Sequence, residues 1–149
     1  MIKKVIISIS LLIVFQLAVI SAMFIKPAAV KHYAEKNNTI FRIRCTAYDP
    51  FNSLKGRYAQ LNLNKDDIEK IEAQLDYKLK NVYKAANEYY LQEEYALTLD
   101  AMGRKNFNEL EPELEIYVGR DGTIVQKELY VHFNGAELPV EQYIKNYAN

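Results

Sequence analysis

Tryptophan is absent from the chain, and cysteine occurs once, at Cys45. One cysteine excludes an internal disulfide framework and a cysteine-rich zinc site. Histidine is nearly as scarce, with His32 and His132 alone. No HExxH stretch occurs, so the commonest helical zinc signature is missing too. A hydrolytic triad needs a nucleophile, a base and an orienting group. The one nucleophile constellation that can be written joins Cys45, His132 and Asp49, and no flanking signature accompanies it. Glycine is sparse at five residues, and the "VGRDG" stretch lacks the Lys and Ser/Thr of a phosphate-binding loop. Net charge is also lacking: 19 basic residues balance 19 acidic ones. That balance gives no electrostatic reason to expect nucleic acid as a partner. No cofactor, metal ligand set or catalytic residue is assigned.

What is present begins with residues 5–25, "VIISISLLIVFQLAVISAMFI", a run without one charged residue. At about 1.5 Å per residue it reaches roughly 32 Å, enough to cross the hydrocarbon core of a bilayer. Lys3 and Lys4 precede it, and Lys26 with Pro27 is expected to end it. A cleaved signal peptide, cut near Ser21 or Ala22, is the alternative; its apolar stretch is usually about 7 to 15 residues. The longer run favours an uncleaved anchor in residues 1–25, with membrane lipid as the partner of residues 5–25. No cysteine at its end offers a lipid attachment site. Flanking charge does little to orient it: Lys3 and Lys4 face Lys26, Lys31 and Lys36, offset by Glu35. The signal-anchor form, together with the family resemblance given below, leads to the expectation that the rest of the chain lies outside the cytoplasm.

Residues 26–38 read as a short stalk, and residues 39–149 as one domain, long enough to bury a core. All 12 tyrosines lie after residue 32, where core and sheet packing is their expected role. In "TIFRIRC", Phe41, Ile43 and Cys45 share one face and Arg42 and Arg44 the other, the alternation of a half-buried strand. Cys45 is expected to be buried and inert. "YDPFNSLKG" is loop, and "RYAQLNL" alternates again, with Ala59, Leu61 and Leu63 on one face. Ile68, Ile71, Leu75, Leu79, Val82 and Ala86 then recur at helical spacing, with Asn64 as the cap. The far end of that helix is left open, because Tyr77, Leu79 and Tyr83 also suit a strand.

"NEYYLQEEYALTLDAMG" reads as a short strand and a helix stopping at Gly103. "ELEIYV" places Leu114, Ile116 and Val118 on one face, and "TIVQKELYV" places Val125, Leu129 and Val131 on one face. Asp121-Gly122 joins these strands as a hairpin, and Asn134-Gly135 makes a second turn. "VEQYIKNY" closes the chain as a helix. The carboxylates of "ELEPELE" read as a solvated strand edge. The fold class expected is α+β: an antiparallel sheet with two or three helices behind one transmembrane helix.

The order of these landmarks resembles the GDYXXLXY family of membrane-anchored bacterial proteins. "GRYAQLNL" matches at Gly56, Tyr58 and Leu61, with Arg57 in place of the motif's Asp and Leu63 in place of its final Tyr. Asp49-Pro50 lies upstream of it as in the family. "YYLQEEYA", with Tyr89, Tyr90 and Glu94, and the terminal hairpin "GRDGTIVQKELYVHFNGAEL" complete the resemblance, which is weaker across residues 64–86. It implies a membrane-attached extracytoplasmic domain, with another envelope or multi-spanning membrane protein as its partner, and no established activity. A family role needing the motif's carboxylate is in doubt, because Arg57 stands there.

Arg42, Arg44, Lys55 and Arg57 form a candidate basic patch around the loop, with Tyr58 beside it; scattered solvated charges are the alternative. Three functions follow in order of preference. First is an interaction or assembly module, second a ligand-binding domain using tyrosines and the basic loop, and last an enzyme.

Overall fold

The computed structural model describes residues 2–47 and 58–147. The protein is α+β: a curled sheet of six antiparallel strands carries helices on both faces. Its first helix, α1 (Ile2–Asn37), is long and apolar enough in its N-terminal part to cross a membrane. It does not end at Pro27. Proline in a helix interior costs about 3 kcal/mol, and here packing of the later turns offsets it. Val30 and Ala34, one helical turn apart, are buried with Tyr117 against the sheet. The stretch expected to be a stalk is therefore a continuation of α1. The helix stops in a Schellman arrangement: Asn38 takes the left-handed conformation (φ 54°) and the Thr39 N–H donates to the Ala34 carbonyl at 3.0 Å.

The sheet follows, its strands lying side by side in the order Glu88–Tyr90, Tyr58–Leu63, Ile40–Ala47, Glu113–Val118, Ile124–Phe133 and Ala136–Pro139. Strands β1 (Ile40–Ala47) and β2 (Tyr58–Leu63) pair with Cys45 opposite Leu63 and Ala47 opposite Leu61. Ile43, Cys45, Ala47, Ala59, Leu61 and Leu63 all point into the main core, as their alternation predicts. Beyond β2, Asn64 caps α2 (Lys65–Leu75), its side-chain oxygen accepting from the N–H groups of Asp66 and Asp67 at 2.9 and 3.2 Å.

The helical spacing that continues to Ala86 does not describe one helix. α2 ends at Leu75 with Asp76 in the left-handed conformation, and α3 spans Val82–Ala86. The intervening segment docks on the turn at Gly122 instead: the Lys80 N–H donates to the Gly122 carbonyl at 2.8 Å, and Glu72 accepts from the Leu79 N–H at 2.9 Å. Leu79, Val82 and Ala86 are buried all the same. Gly122 (φ 77°) admits this approach, because a Cβ there would sit 2.3 Å from the Lys78 carbonyl oxygen.

Next come β3 (Glu88–Tyr90), α4 (Glu93–Met102) and, after Gly103 (φ 80°), α5 (Arg104–Glu109). The stop at Gly103 matches expectation, whereas α5 had no helical periodicity to announce it. Strands β4 (Glu113–Val118) and β5 (Ile124–Phe133) form the expected hairpin, and β6 (Ala136–Pro139) leads into α6 (Val140–Tyr147). Two readings need correction here. β4 lies between β1 and β5, so Glu113 and Glu115 are inside the sheet rather than on an edge. Val125 does not share a face with Leu129 and Val131, which are in the main core, while Val125 packs near Val30 and Tyr117 under α1. A bulge explains it: Glu115 pairs with Glu128 and Ile116 with Gln126, leaving Lys127 as the extra residue. One extra residue inverts the alternation, and Ile124 takes the core position.

Candidate functional site

Strand pairing gathers charge on the sheet face away from the main core. β1 and β4 align with Arg42 opposite Glu115 and Arg44 opposite Glu113. The Arg42 guanidinium meets three carboxylates: Glu137 at 2.5 Å, Glu115 at 3.3 Å and Glu113 at 3.9 Å. Its Cζ also lies 4.4 Å from the centroid of the Tyr130 ring, a cation–π distance. The bulge sends Lys127 to the same face, where its ammonium stands 2.5 Å from Glu115 Oε2. Glu115 is thus buried at 8% exposure between two cations. His132 Nε2 stands 3.9 Å from Glu113 Oε2 at the far side of the group.

Electrostatics follow from this closeness. The hydrogen bond from Arg42 holds the Glu137 carboxyl below its ordinary value, and Glu115 raises the Lys127 ammonium above its own. Arg42 itself is driven further up, first by its bond to Glu137. The cluster is an ion-pair network that ties β1, β4, β5 and β6 together. Glu113, Glu115, Lys127, Tyr130 and Glu137 were missed as members. For Glu113 and Glu115 the signal was readable: "RIR" and "ELE" are complementary strands, each with like charges two residues apart.

The other candidate residues that are described disperse. Arg44 makes a two-pronged pair with Asp67, Nη2 to Oδ1 at 2.6 Å and Nε to Oδ2 at 2.8 Å, fastening the start of α2 to β1. Asp67 is held below the usual carboxylate range by that arginine. Asp49, Pro50, Lys55, Gly56 and Arg57 lie outside the described residues. Tyr58 opens β2 and Leu61 is core. The Asn64 N–H donates to the Arg44 carbonyl, so Tyr58 starts six residues along β2 from Arg44, about 20 Å away at strand rise. The sheet does not bring Tyr58 to either arginine.

Nor does it assemble the cysteine constellation. Cys45 faces the main core and its thiol donates to the Pro112 carbonyl at 3.3 Å, whereas His132 belongs to the charged face. Burial pushes the Cys45 thiol up to about 12. Among the described residues no three His, Cys, Asp or Glu side chains converge as a metal site.

A second feature is a cleft of about 550 Å³ between α2 and α3. Ile68, Leu79 and Val82 contribute apolar lining, and Lys65, Glu72 and Tyr83 polar groups.

Fold and geometry together define the class: an α+β domain built onto the continuing end of an apolar N-terminal helix. No family model matches the chain, and no curated protein or solved structure does.

Proposed function

We infer that the chain is a membrane-anchored extracytoplasmic interaction or assembly module without catalytic activity of its own. The observation that carries this reading is the continuity of α1. An apolar segment whose large side chains, among them Leu11, Phe15, Ile20 and Ile25, are exposed runs without interruption into turns whose Val30 and Ala34 are part of the folded domain. Exposed side chains of that kind are satisfied by lipid, and the docked turns hold the domain at one orientation to it. The resemblance to the GDYXXLXY family supports the same reading, with another envelope or multi-spanning membrane protein as partner. Protease added to intact spheroplasts tests the topology: the domain is degraded while a cytoplasmic control survives. Complete protection overturns the extracytoplasmic placement. Crosslinking and pull-down of the full-length chain from its native membrane then identifies the partner.

The cleft between α2 and α3 favours one second reading, a ligand-binding domain. Its mixed lining, with the Tyr83 ring beside lysines and glutamates, suits a small molecule with an apolar body and charged ends. Tyr83→Ala abolishes ligand capture on that reading and leaves protein crosslinks unchanged.

A further inference from the structure

The anchored reading supplies a height scale. α1 rises about 1.5 Å per residue, so Ala28 stands about 4.5 Å beyond Ile25, the last residue of the uncharged run. The headgroup layer on each side of a bilayer is about 5–8 Å deep, half the difference between the whole bilayer and its hydrocarbon core. Pro27, Ala28 and Lys31 share a groove of about 360 Å³ with Val125, Gln126 and Lys127. This stretch of β5 therefore stands beside α1 at headgroup depth.

Gln126 carries another segment with it. Its Nε2 donates to the carbonyls of Ala85 at 2.9 Å and Glu88 at 2.8 Å, which bracket the passage from α3 to β3. Two residues to either side of those carbonyls are Tyr83 and Tyr90. These two residues are 47% and 69% exposed, while Tyr89 between them is buried. Among the described residues, Tyr83, Tyr90 and Leu97 are the large apolar side chains left exposed outside α1. A tyrosine ring has an apolar body and a polar tip, the combination enriched where hydrocarbon meets water. Lys26 and Lys84, both exposed, supply cations for lipid phosphates at the same border.

We propose that Tyr83 and Tyr90 seat in the phospholipid headgroup layer of the membrane that α1 enters, so that the domain rests on the bilayer instead of standing clear of it. This rests on the anchored reading, and the test separates the two. Because the chain has no tryptophan, one introduced indole reports its own surroundings. Full-length Tyr83→Trp, Tyr90→Trp and Phe15→Trp are reconstituted into vesicles of phosphatidylcholine and phosphatidylglycerol. The phosphatidylcholine is unlabelled, brominated near the headgroup, or brominated near the chain ends. A melting midpoint equal to the parent's verifies the fold of each variant.

Phe15→Trp, in the middle of the apolar run, is quenched by the deep bromines and reports the anchor alone. Tyr83→Trp and Tyr90→Trp are each quenched about twofold more by the shallow bromines than by the deep ones, as interfacial aromatics are. A response from Phe15→Trp with none from either tyrosine position overturns the proposal and leaves the anchor standing. A response at one tyrosine position alone overturns the shared seat. Shielding from aqueous iodide without bromine quenching assigns the tyrosines to a second copy or another protein, and overturns the lipid assignment. If Phe15→Trp itself is not quenched, the anchored reading fails and takes this proposal with it.

Discussion

The two faces of the sheet are held by different physics. On the core face, Ile43, Leu114, Ile116, Leu129 and Val131 are fully buried beneath the helices. Their contribution is removal of apolar surface from water, which is large and tolerant of small shifts. On the opposite face, Arg42, Glu115, Lys127 and Glu137 form a network whose cations remain about one-third exposed. Solvent screens such pairs, and desolvation of Glu115 cancels part of what they gain. The core face therefore contributes most of the stability. The charged face is the one sensitive to register, since a shift of β1 against β4 would separate Arg42 from Glu115.

The largest expected effect tests the core face. Leu61→Ala destabilises the domain by about 2 to 5 kcal/mol, the range for truncating a buried leucine. Urea unfolding of the full-length protein measures it, and a change below about 1 kcal/mol, less than such truncations usually cost, would remove Leu61 from the core. The charged face comes next. Glu115→Ala leaves Arg42 and Lys127 facing each other and costs about 1 to 2 kcal/mol after allowance for their exposure. Replacing both members, Arg42→Met with Glu115→Leu, restores most of that loss. A double variant as unstable as the single one would show the network contributing net stability.

Smaller still is the effect of acid. Asp121 accepts from the Thr123 hydroxyl at 2.8 Å and the Thr123 N–H at 3.1 Å, bonds that lower its carboxyl from 3.8 to about 2. A group depressed in the folded state favours folding above its unfolded value. That contribution is complete above 3.8 and disappears as pH falls toward about 2. The Asp121→Ala variant accordingly shows a flatter decline in melting temperature across this window; an unchanged slope would contradict the assignment. Smallest is Cys45→Ala, which leaves partner capture intact. The buried thiol, raised to about 12, reacts with a bulky maleimide only when the domain opens. Rapid labelling of the native protein would place Cys45 on a surface after all.

These contrasts also explain what could be read beforehand. Core-face strands were legible because a period of two has one buried solution: Phe41, Ile43 and Cys45 had to turn inward together. The Asn64 cap and the glycine turns were legible for a similar reason, since their conformations depend on neighbours in sequence. Of the candidate site, Arg42 was identified but its partners were not. Glu137 is 95 residues away and meets it only through strand order.

The chain itself determines the apolar helix, the strands and their turns, since each depends on side chains a few residues apart. Tertiary structure decided three other matters. It carried α1 past Pro27, because Tyr117 waits to cover Val30 and Ala34. It stopped α2 at Leu75, where the following segment bonds to the Gly122 turn in place of a further helical turn. It reversed Val125 through a bulge at Lys127, bringing that lysine to Glu115. In each case the local preference amounts to about 1 to 3 kcal/mol, and burial or charge pairing by residues distant in sequence is large enough to overrule it.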